Sequence, residues 1–414
     1  MTPSTADIPL PVQETLAAPA GLDLHVERLH SPGDLDRVRD AWDGFVEDSG
    51  SDIYFTVDWL QAWWAHYGRG RTFEALIVRD GDRIVGALPF AVQRLWAGPV
   101  PVRLARFAGA DSTFAVLTPA IAEGFEEPVL GAALDRLIGD AGCHAVSLWP
   151  LSGDTPAAAA AERVAADRFH LVRSDSTGPH MLFRLPESFE DYLAGINRYS
   201  RRDYRRSLRQ LDERCEITRR TVSGDDAVSY LDRFIALHTA HWQAEGKLGH
   251  FGDWPASEDF TRDLIARMAA TGRARFYEIA GDGEVLAIEQ CFIFGDRCHW
   301  RLAARDSDPE LERLGLGRVG AADLLRLMIE DGRKIVEAGP GHYEYKARLG
   351  AEELPLRRVV ISGRPAASRG RSALLLHWAD LLNLVYYRVW FLKIAPRLGR
   401  SGRALWRPWI RTRV

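Results

Sequence analysis

Lysine is scarce in this chain. Only Lys247, Lys334, Lys346 and Lys393 stand among 53 basic residues. Arginine keeps its proton at any physiological pH, so each lysine marks a place where a compact cation able to titrate was kept. Cysteine is equally sparse: Cys143, Cys215, Cys291 and Cys298 are scattered, with no CxxC pair. That spacing excludes a disulfide scaffold and a cysteine-based metal site, and it predicts a reduced, cytoplasmic setting without metal. The first twenty residues lack a basic stretch followed by an apolar core, so no signal peptide is expected and residues 1–21 read as an unstructured lead-in. A net charge of −4 argues against coating nucleic acid.

Long apolar runs are missing too. The most apolar stretch, Leu374 to Ile394, is broken by Asp380, Asn383 and Arg388. A transmembrane span needs about twenty apolar residues with few charges. An amphipathic helix followed by a basic tail with Trp406 and Trp409 fits better. Residues 365–414 then read as a helical tail that either packs on the fold or lies on an anionic membrane surface.

What remains has the composition of an α/β protein, with two segments of similar design. Residues 22–185 hold a strand, Phe73 to Val78, an Asp80-Gly81 turn and a strand, Ile84 to Val92, behind the aromatic helix that begins at Thr56. Residues 186–364 repeat the scheme with Arg275 to Ile279, the turn Gly281-Asp-Gly283 and Val285 to Phe294. A spacing of about two hundred residues suits duplicated domains and not a solenoid.

Chemistry concentrates in the second segment. A strand ending near Arg305 leads to Glu312-Arg-Leu-Gly-Leu-Gly317 and then to a helix. Glycines there allow close backbone approach, and a helix N-terminus gathers N–H groups that suit a diphosphate. Glu289 sits mid-strand in Ala287-Ile-Glu-Gln-Cys-Phe292. It is either a base with a raised pKa, a carboxylate on an open face, or the partner of an arginine. Arg198, Arg201, Arg202, Arg205, Arg206 and Arg209 crowd one helix. They favour an anionic partner or form a solvated face.

The order of these pieces resembles the coenzyme A site of the GNAT acyltransferase superfamily. Gly339-Pro-Gly-His-Tyr-Glu-Tyr-Lys346, with Trp59 to Trp64 and His238 to Trp242, resembles in particular the tandem-domain family named for cellulose-biosynthesis acetyltransferases. This chain departs from the usual loop at Glu312, where a cation or amide is customary, and at Glu337, where Asp is common. The resemblance implies two tandem GNAT-like folds, a mixed sheet flanked by helices in each, the first degenerate because no Gly-x-Gly precedes its Glu127 to Ile138 helix. It implies acyl-coenzyme A, typically acetyl-coenzyme A, as co-substrate, held by Arg313, Gly315, Leu316, Gly317 and Arg318. Glu289, Tyr345 and Lys346 would carry the chemistry. Arg202, Arg206, His238 and Trp242 would bind an amine or hydroxyl acceptor, a small molecule or a glycan precursor of polysaccharide or cell-envelope synthesis. Two alternatives stand beside it: a transferase related to Fem-type peptidyltransferases, which use aminoacyl-tRNA, and a non-catalytic scaffold of a polysaccharide-synthesis complex. The protein would be cytoplasmic or peripheral at the inner face of the membrane.

Overall fold

Tight turns at glycine fix the pairing of the strands around them. The computed structural model describes residues 21–110, 115–246, 249–253 and 256–394. Residues 1–20 of the expected lead-in and the tail beyond Ile394 fall outside these residues. The first half runs β1 (Leu24–Leu29), α1 (Arg39–Asp48), α2 (Val57–Tyr67), β2 (Arg71–Asp80), β3 (Arg83–Ala97), β4 (Val100–Phe107) and β5 (Ala120–Ile121). It continues with α3 (Glu126–Leu134), β6 (Ala145–Leu151), α4 (Ala157–Arg168) and β7 (His170–Arg184). The second half begins α5 (Phe189–Gly195), α6 (Arg198–Arg214), β8 (Ile217–Ser223), α7 (Asp225–Ala244), α8 (His250–Asp253) and α9 (Ser257–Ala270). Then come β9 (Ala274–Gly281), β10 (Glu284–Phe294), β11 (Arg297–Arg305), α10 (Pro309–Leu314) and α11 (Leu316–Glu330). The order closes with β12 (Ile335–Pro340), α12 (Glu344–Arg348), β13 (Glu352–Ser362) and α13 (Ala366–Leu384).

Asp282 and Gly283 both have positive φ, +51° and +85°, the backbone a two-residue hairpin needs to follow the twist of its strands. That turn joins β9 to β10 as Gly81 and Asp82, one place on from the expected Asp80-Gly81, join β2 to β3. Each half lays down four antiparallel strands and then a parallel fifth: β1-β2-β3-β4-β6 and β8-β9-β10-β11-β12. The chain is thus α/β with two halves of one design.

The halves share a single sheet. β13, from the end of the second half, pairs with β6 of the first. β7, from the end of the first half, pairs with β12 of the second. β7 and β13 lie antiparallel at the centre. The boundary expected between residues 185 and 186 falls between β7 and α5, while the sheet itself runs unbroken across it.

Where the fifth strand leaves its parallel neighbour, the two halves differ. β4 and β6 pair only over Leu104 to Arg106, and beyond that the chain fills the gap itself. Leu117 N–H donates to Pro150 O at 2.8 Å, and Ser152 N–H donates to Leu117 O at 2.9 Å. In the second half β11 and β12 pair from Arg297 to His299 and then part. β11 goes on to Arg305 and β12 to Pro340, leaving an opening between them.

α13 meets the fold through Leu375, Leu376 and Ala379, buried with Val102, Leu104 and Val360. Asp380, the lone acid of the tail, takes both terminal nitrogens of Arg173 at 2.7 and 3.0 Å. No described helix is long and apolar enough to cross a membrane.

Candidate functional site

The opening between β11 and β12 gathers most of the expected residues. Glu289 points from β10 toward α11, where Gly320 makes room for it: a Cβ there would lie 3.0 Å from Glu289 Oε1. Trp300 Nε1–H donates to Glu289 Oε2 at 2.8 Å. The carboxyl is almost wholly buried, and burial pushes its pKa up to about 7 against the pull of Arg305, Trp300 and Lys346. Of the readings open for Glu289, the open-face one is thereby removed.

Lys346 comes in from α12. Its Nζ donates to Ala338 O at 2.6 Å and lies 4.5 Å from the Trp300 ring centroid and 4.6 Å from that of Tyr343. Burial lowers its pKa to about 8, with Glu289 and Glu337 opposing. Tyr345 keeps about 37% of its surface exposed. Burial and the charge of Glu289 hold its phenol above the ordinary range, while Arg305 works the other way.

The loop before α11 forms the other end. Gly315 has φ +85°, ending α10 and starting α11. Leu316 is buried and offers only its backbone, and the N–H groups of Leu316 and Gly317 have no partner among the described residues. Against them lies a residue that the sequence argument passed over. A Cβ on Gly317 would stand 1.8 Å from Arg305 Nη1 and 2.9 Å from its Cζ, so glycine there is what admits the guanidinium. Among the described residues the Arg305 guanidinium makes no hydrogen bond or ion pair, although its charge acts on Glu289. An uncommitted guanidinium, two free N–H groups and the positive end of a fifteen-residue helix fit a diphosphate. Arg318 is tied to Asp203 at 3.3 Å, and Ser207 of α6 closes on Gly315. Arg313 stands exposed on α10, a turn away from the cradle.

The acceptor candidates divide. His238 and Trp242 lie on α7, which packs on β11, so they are near the opening but reach it from another element than the loop. His238 is buried, its Nδ1 is 2.9 Å from Ala303 O, and burial lowers its pKa to about 4. Arg202 and Arg206 are exposed on α6, and Arg206 pairs with Asp203 at 3.3 Å. Arg198, Arg202, Arg205 and Arg209 recur at helical spacing on the solvent side. Among the described residues Arg202, Arg205 and Arg209 have no carboxylate partner.

A buried polar chain runs beneath the opening, and sequence reasoning missed it because its members lie far apart along the chain. Ser152 Oγ is 3.1 Å from His180 Nε2, and His180 Nδ1 is 3.3 Å from Glu337 Oε2. Glu337 Oε1 accepts the Gly339 N–H at 3.0 Å. Burial works against the charge on His180, but Glu337, backed by Asp154 and Asp52, outweighs it and raises the pKa. Asp52, from the first half, is pushed up to about 7 by burial despite Arg297 at 3.9 Å. No group of three or more His, Cys, Asp or Glu among the described residues is placed to hold a metal ion.

Comparison with known proteins bears on the fold and on one domain within it. Residues 198–347 match the family described as the acetyltransferase (GNAT) domain. The fold is similar to that of FemX, with TM-score 0.60 and 11% identity over 81% of this chain and 96% of that one. It is also similar to a conserved protein of unknown function from Bacteroides thetaiotaomicron, with TM-score 0.51 and 12% identity over 79% of this chain and 97% of that one. Among curated proteins none matches in sequence.

Proposed function

Because the chain carries a GNAT-type acetyltransferase domain, we propose that its second half transfers an acyl group from acyl-coenzyme A to an amine or hydroxyl acceptor. The observation that carries the reading is Arg305 laid against Gly317 at the start of α11, beside the opening that Glu289 faces.

In this reading acetyl-coenzyme A, when bound, supplies an activated thioester. The N–H groups of Leu316 and Gly317 and the guanidinium of Arg305 hold its diphosphate, with Arg318 and Arg313 as outer cations. Glu289, half ionised near neutral pH, takes the acceptor's proton; Trp300 fixes the carboxylate that does so. As the acyl group passes to the acceptor, Tyr345 protonates the thiolate that leaves, and the Lys346 ammonium holds an anionic group of the substrate. His238 and Trp242 line the acceptor's approach from α7, and Arg202 and Arg206 attract an anionic acceptor. The first half is a wall of the acceptor cleft. Its own opening is filled by residues 115–118, and its α3 starts with Glu126 and Glu127, which repel phosphate. A cytoplasmic place at the inner face of a membrane, reached through the basic tail, and a glycan or cell-envelope precursor as acceptor complete the proposal.

A second reading draws support from the unpaired arginines of α6. A face carrying Arg198, Arg202, Arg205 and Arg209 suits a polyanion such as tRNA, so a Fem-type aminoacyl transferase stands as the alternative. Thermal melting with acetyl-coenzyme A separates the two. Stabilisation that rises with its concentration supports acyl-coenzyme A, and none at millimolar levels defeats it.

A further inference from the structure

Two neutral side chains lie on the side of β10 and β11 away from α11, and nothing in the described fold bonds them. Gln290 is 0% exposed, and neither its Oε1 nor its Nε2 has a partner among the described residues. His299 is 2% exposed, and both ring nitrogens are likewise unpaired. Phe292 faces His299 across the strands, and Gln290 is two places from Phe292, so both polar groups share one side. A register shift at Gln290/Cys291 opens the ladder beside them. Above them lie two aromatic residues from the first half. Tyr54 stands edge-on to His299 at 5.5 Å, and Trp59 stands edge-on to Phe292 at 5.9 Å, its Nε1 also unpaired among the described residues. His299 pairs with Glu337 at the very point where β11 and β12 separate.

Leaving a buried amide or imidazole unbonded costs about 1–3 kcal/mol per group. Several such groups on one side, at the mouth of the opening, are explained if a ligand completes them. The charges nearby decide what kind. Burial, with Arg297 adding, holds the His299 pKa down to about 3, so the imidazole is neutral. The Arg301 guanidinium lies 5.1 Å from the Trp59 ring on the same side. Asp52 is engaged by Arg297 and by the Thr118 N–H, and Glu337 by His180 and the Gly339 N–H. An ammonium would meet a guanidinium and no free carboxylate there. A hydroxyl, donating to one atom of the pair and accepting from another, is matched.

We propose that Gln290 and His299, on the face of the sheet opposite Glu289, form a recognition subsite for an uncharged hydroxyl of the acceptor, not an ammonium. The proposal rests on the acyl-transfer reading and gives the acceptor a hydroxyl held by this pair, apart from the group that Glu289 deprotonates.

The test uses the full chain and the variants Gln290→Leu and His299→Phe. Removing unbonded polar groups should leave the melting temperature of the free protein unchanged or raised, with the acetyl-coenzyme A shift intact. A fall of several degrees in both variants would mean that the pair is bonded in the resting fold, by water or by the chain, and overturns the subsite. Two probe pairs read the chemistry: propane-1,3-diol with propane-1,3-diamine, and cyclohexanol with cyclohexylamine. The alcohol member should protect the acetyl-coenzyme A complex in melting, at least tenfold more weakly in Gln290→Leu. Protection by the amine member, alone or alongside the alcohol, or by neither, refutes the proposal. Loss of the acetyl-coenzyme A shift in the unaltered protein defeats the donor reading instead, so the two failures are told apart.

Discussion

Substituting alanine for Gly317 is the sharpest probe of the donor site. A Cβ there comes within 1.8 Å of Arg305 Nη1 and 2.9 Å of Cζ, so the guanidinium must leave its place. The fold can absorb the change. Arg305 is a long side chain with no described partner, and the φ of Gly317 lies outside the left-handed region. Alanine even regains about 1 kcal/mol of helix propensity over glycine in a helix interior, and somewhat less in a first turn. What is lost is a charge-assisted contact to the diphosphate, worth about 1.5–3 kcal/mol. At 1.4 kcal/mol per decade, Kd for acetyl-coenzyme A should rise about 10- to 150-fold. Isothermal titration calorimetry measures this directly, with S-acetylpantetheine, which lacks the diphosphate, as control. The variant should bind the control as the parent protein does. An unchanged Kd for acetyl-coenzyme A, or an equal loss for the control, would place the diphosphate elsewhere.

With the Glu289 carboxyl at about 7, transfer activity should rise as pH passes through that value. Glu289→Gln should abolish the rise and lower kcat by about 10²–10⁴-fold, read from thiol release. Because this pKa is raised, the stability linked to the protonated carboxyl is full below the ordinary carboxyl range and is lost as pH climbs through about 7, so the variant should melt with a flatter pH dependence. Lys346 gives up its proton through about 8, so activity should decline above that pH, and Lys346→Met should remove the decline while keeping the acetyl-coenzyme A shift. Charge reversal at Arg202 and Arg206 should raise KM for the acceptor more than for the acyl donor; equal changes would assign α6 to folding. Intact protein should float with anionic vesicles at low salt, at about 1 kcal/mol per basic residue near the leaflet, and a cut after Ile394 should abolish this without changing the melt. Failure of the intact protein to float refutes the membrane role of the tail.

Local signals were legible and long-range ones were not. The Asp-Gly turns and the Gly-x-Gly entry to α11 depend on neighbours within a few residues, and each could be read from the chain alone. Glu289 could be named because a carboxylate amid apolar strand residues is conspicuous. β7 could not be read as one strand, since Ser174 to Pro179 interrupts it with turn formers. β8 and β13 alternate poorly, because arginines that pair with Glu278 and Asp175 occupy positions a sequence pattern assigns to solvent. Arg305 had a visible signal, a cation closing the strand just ahead of the glycines. Gln290 and His299 had none: an unbonded polar group is defined by what surrounds it, and its surroundings come from both halves.

The exchange of β7 and β13 ties the second half's strand pairing to the first. β7 is the antiparallel neighbour of β12 and of β13, and β6 is the other neighbour of β13. A second half cut free at residue 186 would lose both partners of β13 and one side of β12, the strand that borders the opening. Unpaired backbone groups along a central strand cannot be left buried without cost. The same cut would remove Tyr54 from His299, Trp59 from Phe292 and Asp52 from Arg297. The filled opening of the first half has its own use in this arrangement. Thr118, in the segment that fills it, holds Asp52 by its N–H, and Asp52 reaches across to Arg297 at 3.9 Å, at the start of the strand that carries His299. In the proposed function, the segment that fills the gap of the first half thus supports the strand that borders the site in the second.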